Sequence, residues 1–588
     1  MSRPCFPLAV TVLPVGSAAR RLHERAAAVW SVFSRSQGGR RLAGAARWLE
    51  AFAQTRRAAA AVFVLALVDF GVQEAAWPLE RGKNLNEYLL TYIQALDWHP
   101  LLPWAPLFRG PGTGVILGPL LAFDGGVLAE AGAAFLFAVA VVAWARAASF
   151  FGPRAAIVTA VAVLLYPGYG ELFHTFASEL VMATAFAVWA WAVTRAAVRP
   201  SSRRFVVAGL ALTALVLIRP GNAVLVPFSL FPLLLRGERR ARLVWTAGFA
   251  AAACLPLVAL TLQNGLRYDD YTLARGGSAI IPFFRTFVED KIVSPQNGPA
   301  SRRLADAIQR KLLTRNPYTG YRVTLHEVFS TGSRRIHEDL FALSDATWGW
   351  DSAYSTLRDA GIEAIEAHPG TYASGVAHTV WAELSTPTYS NRVPGQNNPS
   401  TLNPPTNARG LPKQDFGELI PGGETATVSR PDQSIRQTWT SPTTFTFVVR
   451  NPHQRAHFRQ IFQEVDSLEN HFPHRAGNDW LQLRLNQVSH RYPRPYLWLI
   501  LGLIALPLRR PRHAATLIML TFAALTIILL DALGQAAEPR YMLPVAPAFV
   551  LFGAAALLGA RPARRARPTD APAEATESPV CEGSAPVR

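Results

Sequence analysis

The stretch RRAAAAVFVLALVDFGVQEAAW, residues 56–77, decides the structural class of this protein. Its apolar part is Ala58–Trp77, and two arginines precede it directly. A hydrocarbon core about 30 Å thick takes about 20 helical residues to cross. Because unpaired backbone groups cannot lie in lipid, an apolar run of this length must be helical. The stretch therefore predicts a first transmembrane helix.

Nine further apolar runs follow, and arginine clusters mark many of their ends. In chain order the runs are Val127–Ala147, Ala155–Tyr166, Ser178–Val193, Phe205–Ile218, Ala223–Leu235, Leu243–Leu262, Pro495–Leu508, Ala514–Leu533 and Tyr541–Leu558. Cytoplasmic loops of membrane proteins carry an excess of lysine and arginine. The basic segments at 20–57, 236–242, 509–512 and 561–567 therefore predict that both termini are cytoplasmic. The sequence predicts a polytopic α-helical protein of the plasma membrane with about ten transmembrane helices.

A long polar segment separates the seventh and eighth predicted spans. The predicted organisation is a basic cytoplasmic segment at 1–57, a membrane domain of seven spans at 58–262 with a first outer loop at 78–126, an extracytoplasmic domain at 263–493, three closing spans at 494–560 and a disordered cytoplasmic tail at 561–588. Helical periodicity predicts a mixed, mainly helical extracytoplasmic domain. Its residues 385–442 are rich in Pro, Asn, Thr, Ser and Gly, so we expect a flexible loop there.

The charge balance suggests a nucleic-acid partner at first, but the distribution of charge argues against one. The chain has 588 residues, of which 50% are hydrophobic, and a net charge of +18. The basic residues stand at the ends of apolar runs, where they fit the positive-inside rule and attract anionic lipid. We therefore predict contact with membrane lipid and no nucleic-acid partner. The cysteines Cys5, Cys254 and Cys581 show no spacing typical of a disulfide framework.

The residues predict no metal site with a closed ligand set. Four histidines follow one another in the polar domain at His453, His457, His471 and His474. A solvated helix face explains them better than zinc, which needs four ligands in tetrahedral geometry. Asp269 and Asp270 offer oxygen ligands to a divalent cation, and an acidic turn is the alternative. No cofactor is otherwise indicated.

Ionisable and aromatic residues gather at the predicted outer ends of the spans. The first outer loop carries Glu80, Asn84, Glu87, Tyr88, Asp97 and Arg109, and later span ends carry His174, Glu179, Arg219, Arg540 and Tyr541. An ionisable residue at the top of a membrane helix is costly unless it faces a cavity or a partner. The pattern therefore predicts one shared outer cavity. An ordinary interfacial loop, with its aromatic residues at headgroup depth, is the alternative.

Several short motifs in this order resemble a known family. They are the acidic, Tyr-bearing first loop, Arg109-Gly-Pro-Gly, Ser178-Glu179-Leu180, Gly209-Leu-Ala-Leu-Thr before Ile218-Arg219-Pro220, and Glu538-Pro-Arg540-Tyr541-Met-Leu-Pro544. The chain resembles the GT-C superfamily of integral membrane glycosyltransferases, in particular bacterial relatives of protein mannosyltransferases and lipid A aminoarabinose transferases. The segment Asn264–Tyr271 resembles actinobacterial membrane proteins of this type.

The resemblance implies an enzyme that transfers a hexosyl or pentosyl group from a polyprenyl-phosphate donor. The acceptor would be an envelope glycan, lipid or protein outside the plasma membrane. A carboxylate of the first loop would act as general base, within hydrogen-bond reach of the acceptor hydroxyl. Cationic side chains would hold the departing phosphate, for which arginine offers bidentate geometry. The candidates for that role are Arg219, Arg540 and Arg109.

This chain departs from the family pattern at one position. The family usually has Asp four residues before the loop aromatic, whereas Asn84 precedes Tyr88 here. Since an amide cannot be a general base, Glu87 is our candidate, with Glu80 and Asp97 as alternatives. Residues three apart share a helix face, so Glu87 and Asn84 would reach the same cavity. We expect the other cavity-lining residues to be Tyr88, Asp97, His174, Glu179 and Tyr541.

Other functions remain open at this point. A protein that has lost catalysis would bind lipid-linked glycan or assist envelope assembly on the same scaffold. A transporter typically has two related halves and charges near the membrane midplane. The chain shows no internal duplication, and its charges stand at span ends. Convergence of Glu87, Arg219 and Arg540 on one cavity would favour the enzyme.

Overall fold

A computed structural model describes most of the chain outside its two ends. The described residues are 48–82, 85–97, 104–122, 125–314, 318–319, 322–389, 424–426, 435–439, 445–449, 452–471, 475–535 and 537–560. Four sequence predictions lie outside them: the segment 1–47, the side chain of Asn84, most of the loop 385–442, and the tail 561–588.

Helices cover the predicted apolar runs. They are Arg56–Ala76, Gly125–Ser149, Pro153–Leu164, Pro167–Glu171, Ser178–Val198, Ser202–Ile218, Arg239–Tyr268, Pro495–Arg509, Ala514–Gly534, Pro539–Met542 and Pro547–Leu558. The sixth run instead forms 3₁₀ turns over Pro220–Leu234. Two internal prolines, Pro227 and Pro232, cannot donate to an α-helical ladder, which favours the tighter turns.

Five of the described helices are long and apolar enough to cross a bilayer, or six if one bent pair counts as a single span. The bent pair is Pro153–Leu164 with Pro167–His174, and its axes differ by 63°. Pro167 lies at the break, and a proline is a usual cause of such a kink. The chain is therefore an α-helical membrane protein, and the number of ten crossings stays a prediction.

Large apolar side chains on the outer faces of these helices support membrane contact. Leu65, Leu503 and Phe522 are more than half exposed, and many similar residues share this exposure. Soluble proteins rarely expose apolar patches of this extent. A main apolar core lies between the helices, and a second core lies within the polar domain around Phe283, Phe287 and neighbouring residues.

Helices also form most of the described polar segments. In the first loop they are Leu85–Ile93, Trp104–Phe108 and Pro111–Ala122. Between the seventh and eighth runs they are Gly277–Phe284, Pro299–Ala307, Leu325–Thr331, Arg334–Trp348, Ser355–Ala367, Pro369–Ser385, Pro452–Asn470 and Asp479–Arg491, with 3₁₀ or π turns at Arg285–Glu289, Ile308–Leu312 and Trp350–Ser352. Another 3₁₀ turn, Leu172–His174, lies just before helix Ser178–Val198. The strands Glu424–Ala426, Ile435–Trp439 and Phe445–Val449 form an antiparallel sheet.

A short parallel strand pair ties the first loop to the start of a membrane helix. Glu80–Arg81 pairs with Thr175–Phe176, in the register Glu80 opposite Thr175. The next residue, Gly82, packs so closely that a Cβ atom there would lie 2.4 Å from the Cβ of Ala177. This contact holds the first loop over the beginning of helix Ser178–Val198.

The polar domain is anchored on one end of helix Ala514–Gly534. Nη1 of Arg285 donates to the carbonyl oxygens of Ala532 at 2.6 Å and Gln535 at 3.1 Å. The Tyr372 hydroxyl donates to the carbonyl oxygen of Leu533 at 2.8 Å. Carbonyl groups in the last turn of a helix have no partner within the helix, so these donors satisfy them. The end of this helix is thereby held against the domain.

Candidate functional site

A cavity of about 250 Å³ lies where the ends of several helices meet. Arg109, Arg219 and Arg540 all line it. Three more predicted residues, Tyr88, Glu179 and Tyr541, also line it. The structure therefore brings together three guanidinium groups that are far apart in the chain. Such a cluster of positive charge suits an anionic ligand.

Two glycines place Arg109 at the cavity. A Cβ atom at Gly110 would lie 2.1 Å from the carbonyl oxygen of Leu217, and one at Gly112 would lie 3.0 Å from it. The Thr113 hydroxyl donates to the carbonyl oxygen of Ile218 at 3.2 Å. Because only glycine permits this approach, the Arg-Gly-Pro-Gly sequence brings Arg109 against the end of helix Ser202–Ile218.

Glu87 forms an ion pair with Arg109. The Arg109 Nε atom lies 2.5 Å from Oε2 of Glu87, and its guanidinium carbon lies 5.8 Å from the centre of the Tyr88 ring. Burial lowers the pKa of Arg109, but Glu87 and nearby phenols raise it by more, so it lies above its ordinary value. Glu87 is not among the cavity-lining residues, and its carboxylate lies behind Arg109.

Arg219 follows the last turn of helix Ser202–Ile218 and points toward another helix. Its Nη2 atom donates to Glu179 at 2.6 Å and to the Ser178 hydroxyl at 2.9 Å. The turn is fixed by Asn222, whose side-chain amide donates to the carbonyl oxygen of Leu215 at 2.8 Å. Glu179 is in the first turn of its helix, where the dipole favours a negative charge. Arg219 and Glu179 are thus held together at the cavity wall.

Arg540 and Tyr541 complete this side of the cavity. Arg540 Nη2 donates to the Tyr541 hydroxyl at 2.8 Å, and its Nε lies 2.5 Å from Oε2 of Glu538. The Tyr541 ring lies between two cations, with its centre 4.7 Å from the guanidinium carbon of Arg540 and 5.3 Å from that of Arg219. Cations at these distances are attracted to the face of an aromatic ring.

Each of the three arginines keeps donors available despite its carboxylate partner. A guanidinium has five N–H donors. Within the described residues, Nη1 and Nη2 of Arg109, Nη1 of Arg219 and Nη1 of Arg540 make no hydrogen bond to the protein. These nitrogens are the ones a phosphate entering the cavity would contact.

Two predicted cavity residues lie elsewhere. His174 is fully buried, with Nδ1 2.8 Å from Oε2 of Glu74 and its ring stacked on Phe70 at 4.2 Å. Asp97 is near Tyr268, at the far end of helix Arg239–Tyr268. Neither side chain lines the cavity. A sequence pattern locates such residues at span ends but does not show which way they point.

Sequence reasoning missed one acidic residue in the cavity wall and a second one buried behind it. Asp531 lines it, and Glu383 from helix Pro369–Ser385 is buried against Asp531. Burial, followed by the Asp531 carboxyl, raises the pKa of Glu383 to about 10. The available signal was a single charged residue in the otherwise apolar segment LTIILLDALG, residues 525–534. Glu383 gave no such signal, because its neighbours are those of an ordinary amphipathic helix.

The described residues contain no group of three or more His, Cys, Asp or Glu side chains arranged to hold a metal ion. Asp270, one of the two candidate cation ligands, is buried in an ion pair with Arg275 at 2.9 Å and accepts a hydrogen bond from Thr272. Its neighbour Asp269 has a left-handed backbone conformation that ends helix Arg239–Tyr268. Asp270 therefore has a structural role here.

Comparisons with known proteins add no identity. No protein-family model matches the chain, and no curated protein matches it.

Proposed function

We propose that this protein transfers a sugar from a polyprenyl-phosphate donor to an envelope acceptor on the outer face of the plasma membrane. In this proposal the chain crosses the membrane about ten times, with both termini in the cytoplasm. The observation that carries it is the meeting of Arg109, Arg219 and Arg540 in one cavity at the end of apolar helices.

The cavity lining suits a donor that is both charged and lipid-linked. Besides the arginines, the wall contains the apolar residues Ile218, Ile281, Ile527 and Leu530. A soluble nucleotide sugar would not call for such an apolar wall, whereas a polyprenyl phosphate has an anionic head on a hydrocarbon chain. Small-molecule sites usually measure about 300–1,000 Å³. A cavity of about 250 Å³ is therefore sized for one sugar-phosphate headgroup, and the acceptor must approach from an open side.

The proposed chemistry is displacement at the anomeric carbon. The acceptor hydroxyl attacks, and the bond from that carbon to the phosphate oxygen breaks. Negative charge develops on the phosphate as it departs, and fixed guanidinium groups stabilise such charge most in a site with little water. The unused terminal nitrogens of the three arginines are the donors for that role. Glu87 stays our sequence prediction for the general base.

A non-catalytic protein that binds lipid-linked glycan is the second candidate. The ion pair between Glu87 and Arg109 favours it, because this carboxylate already binds a guanidinium at 2.5 Å and would have to leave it to bind an acceptor hydroxyl. Both candidates require the cavity to bind a polyprenyl phosphate. They differ in whether the bond between sugar and phosphate is broken.

The test uses the full-length protein in lipid nanodiscs. Radiolabelled polyprenyl-phosphate hexoses and pentoses are supplied one at a time, with washed membranes from cells lacking the protein as acceptor. We expect transfer with one donor, and loss of that transfer in Arg219→Gln and Arg540→Gln. Arg195→Gln is the matched control, since Arg195 is exposed near the other end of helix Ser178–Val198. Polyprenyl phosphate binding without any transfer would replace the enzyme with the binding protein.

A further inference from the structure

We propose that Asp531, and not the first-loop Glu87, is the general base of the transfer reaction. This assignment rests on the proposed function, and it names the residue that accepts the acceptor's proton. It places the base near the end of helix Ala514–Gly534. The family resemblance instead points to a carboxylate of the first loop.

Asp531 meets the geometric requirement for a base. It lines the same cavity as Arg219 and Arg540, and both guanidinium groups act on its carboxylate. Its Oδ2 atom is buried and takes no hydrogen bond from an N–H or hydroxyl group of the described residues. A buried carboxylate oxygen without a donor is costly. A proton on the neighbouring Glu383 carboxyl would supply that donor, which leaves the part of the Asp531 carboxylate that lines the cavity for an acceptor hydroxyl.

Glu383 explains how Asp531 can be ionised in a buried place. The Glu383 carboxyl lies within hydrogen-bond range of the Glu538 backbone, and it is close enough to hydrogen-bond with the Asp531 carboxyl if one of the two carries a proton. Two carboxylates in contact in a dry site cannot both be charged, so the pair shares one proton.

The surroundings decide which carboxyl keeps that proton. Glu383 is 1% exposed and does not line the cavity, and burial together with Asp531 raises its pKa to about 10. Asp531 instead faces the positive charges of Arg219 and Arg540. The proton therefore stays on Glu383, behind the wall, and the carboxylate faces the cavity. The other charged or titratable groups acting on Asp531 are Glu538 and Tyr541.

Glu87 is less suited to the same task. Its carboxylate is bound to Arg109 at 2.5 Å, and it does not line the cavity. Abstraction of a proton by Glu87 would first require that ion pair to break. Asp531 needs no such rearrangement.

The step balances without another reactant. The acceptor O–H proton moves to the Asp531 carboxylate as the acceptor oxygen bonds to the anomeric carbon. The bond between that carbon and the phosphate oxygen breaks, and its electron pair stays on the phosphate. One negative charge thereby moves from Asp531 to the departing phosphate, where the Arg219 and Arg540 guanidinium groups face it.

The test measures transfer and phosphate binding separately in the full chain. Transfer uses the labelled donor panel and washed membranes, and binding uses farnesyl phosphate with farnesol as the uncharged control. Asp531→Asn should lower the transfer rate about 10²- to 10⁴-fold, as expected for loss of a general base. It should bind farnesyl phosphate at least as tightly as the wild type, because a negative charge beside the arginines is gone. Asp531→Glu, which keeps a carboxylate, should retain more transfer than Asp531→Asn.

Matched variants separate the outcomes. Asp306→Asn makes the same chemical change on an exposed helix face and should leave both readouts unchanged. Glu87→Gln should lose less transfer than Asp531→Asn. The assignment is overturned if Asp531→Asn transfers like the wild type, or if it loses farnesyl phosphate binding together with transfer, which would show a structural role. After either result, transfer by the wild type would still support the proposed function. Absence of transfer by the wild type would overturn the proposed function and the Asp531 assignment together.

Discussion

Replacing Arg219 by glutamine tests the anion site most directly, because two consequences of that change can be calculated separately. A hydrogen bond to a charged group contributes about 1.5–3 kcal/mol. Since about 1.4 kcal/mol is a factor of ten in affinity, losing one guanidinium–phosphate contact should weaken farnesyl phosphate binding about 10- to 150-fold. The free Nη1 of Arg219 is the nitrogen expected to make that contact.

The same substitution also leaves Glu179 without its cation. The Glu179 side chain is only 6% exposed and lies 2.6 Å from Arg219. Removing one partner of a buried ion pair costs up to about 3–5 kcal/mol of stability. The double variant Arg219→Gln, Glu179→Gln removes the stranded charge, so it should recover much of the lost thermal stability. It should not recover binding, because the guanidinium is still missing.

The assay is titration of farnesyl phosphate into the protein in nanodiscs, followed by intrinsic tryptophan fluorescence, with thermal unfolding measured in parallel. Arg195→Gln removes an exposed guanidinium from the same helix that carries Glu179 and serves as the control. Unchanged farnesyl phosphate affinity in Arg219→Gln would refute the anion site. Recovery of binding in the double variant would show that Arg219 acts only by holding Glu179.

Three further outcomes are expected. Gly110→Ala should unfold at lower temperature and bind farnesyl phosphate more weakly, because its methyl group would lie 2.1 Å from a backbone oxygen of the neighbouring helix. The control Gly71→Ala should change neither property, because no atom lies within 4 Å of its new methyl group. In the folded protein the pKa of Glu383 is raised to about 10, so the unfolded chain loses this proton at a lower pH than the folded protein does. The free energy of unfolding should therefore fall as pH rises from about 5 toward 10, by at most about 1.4 kcal/mol per pH unit. Glu383→Gln should therefore flatten the dependence of unfolding temperature on pH, and parallel curves for the two proteins would contradict this. The sides of the membrane are tested in a cysteine-free background. Leu96 is 97% exposed in the first loop, so Leu96→Cys should react with a membrane-impermeant maleimide in intact cells. A cysteine in the basic turn 236–242 should react only after lysis.

The sequence by itself determined the class of the molecule and the positions of its helices. Helix Arg56–Ala76 begins two residues before the predicted run Ala58–Trp77, and helix Ala514–Gly534 ends one residue after Leu533. Apolar length identifies such segments, since a lipid-facing backbone has no other way to satisfy its polar groups. Two of the predicted runs depart from a single α-helix. The sixth forms 3₁₀ turns over Pro220–Leu234, which follows from the local chemistry of its prolines. The last is divided between Pro539–Met542 and Pro547–Leu558.

Only the tertiary structure decided which polar side chains meet. Arg109, Arg219 and Arg540 share one cavity, whereas His174 and Asp97, which stand in similar sequence positions, do not line it. The pairing of Glu87 with Arg109 and the burial of Glu383 against Asp531 likewise depend on segments distant in the chain. The physical reason is that hydropathy records how deep a residue lies, while the direction of its side chain is set by close packing such as that of Gly110 against Leu217.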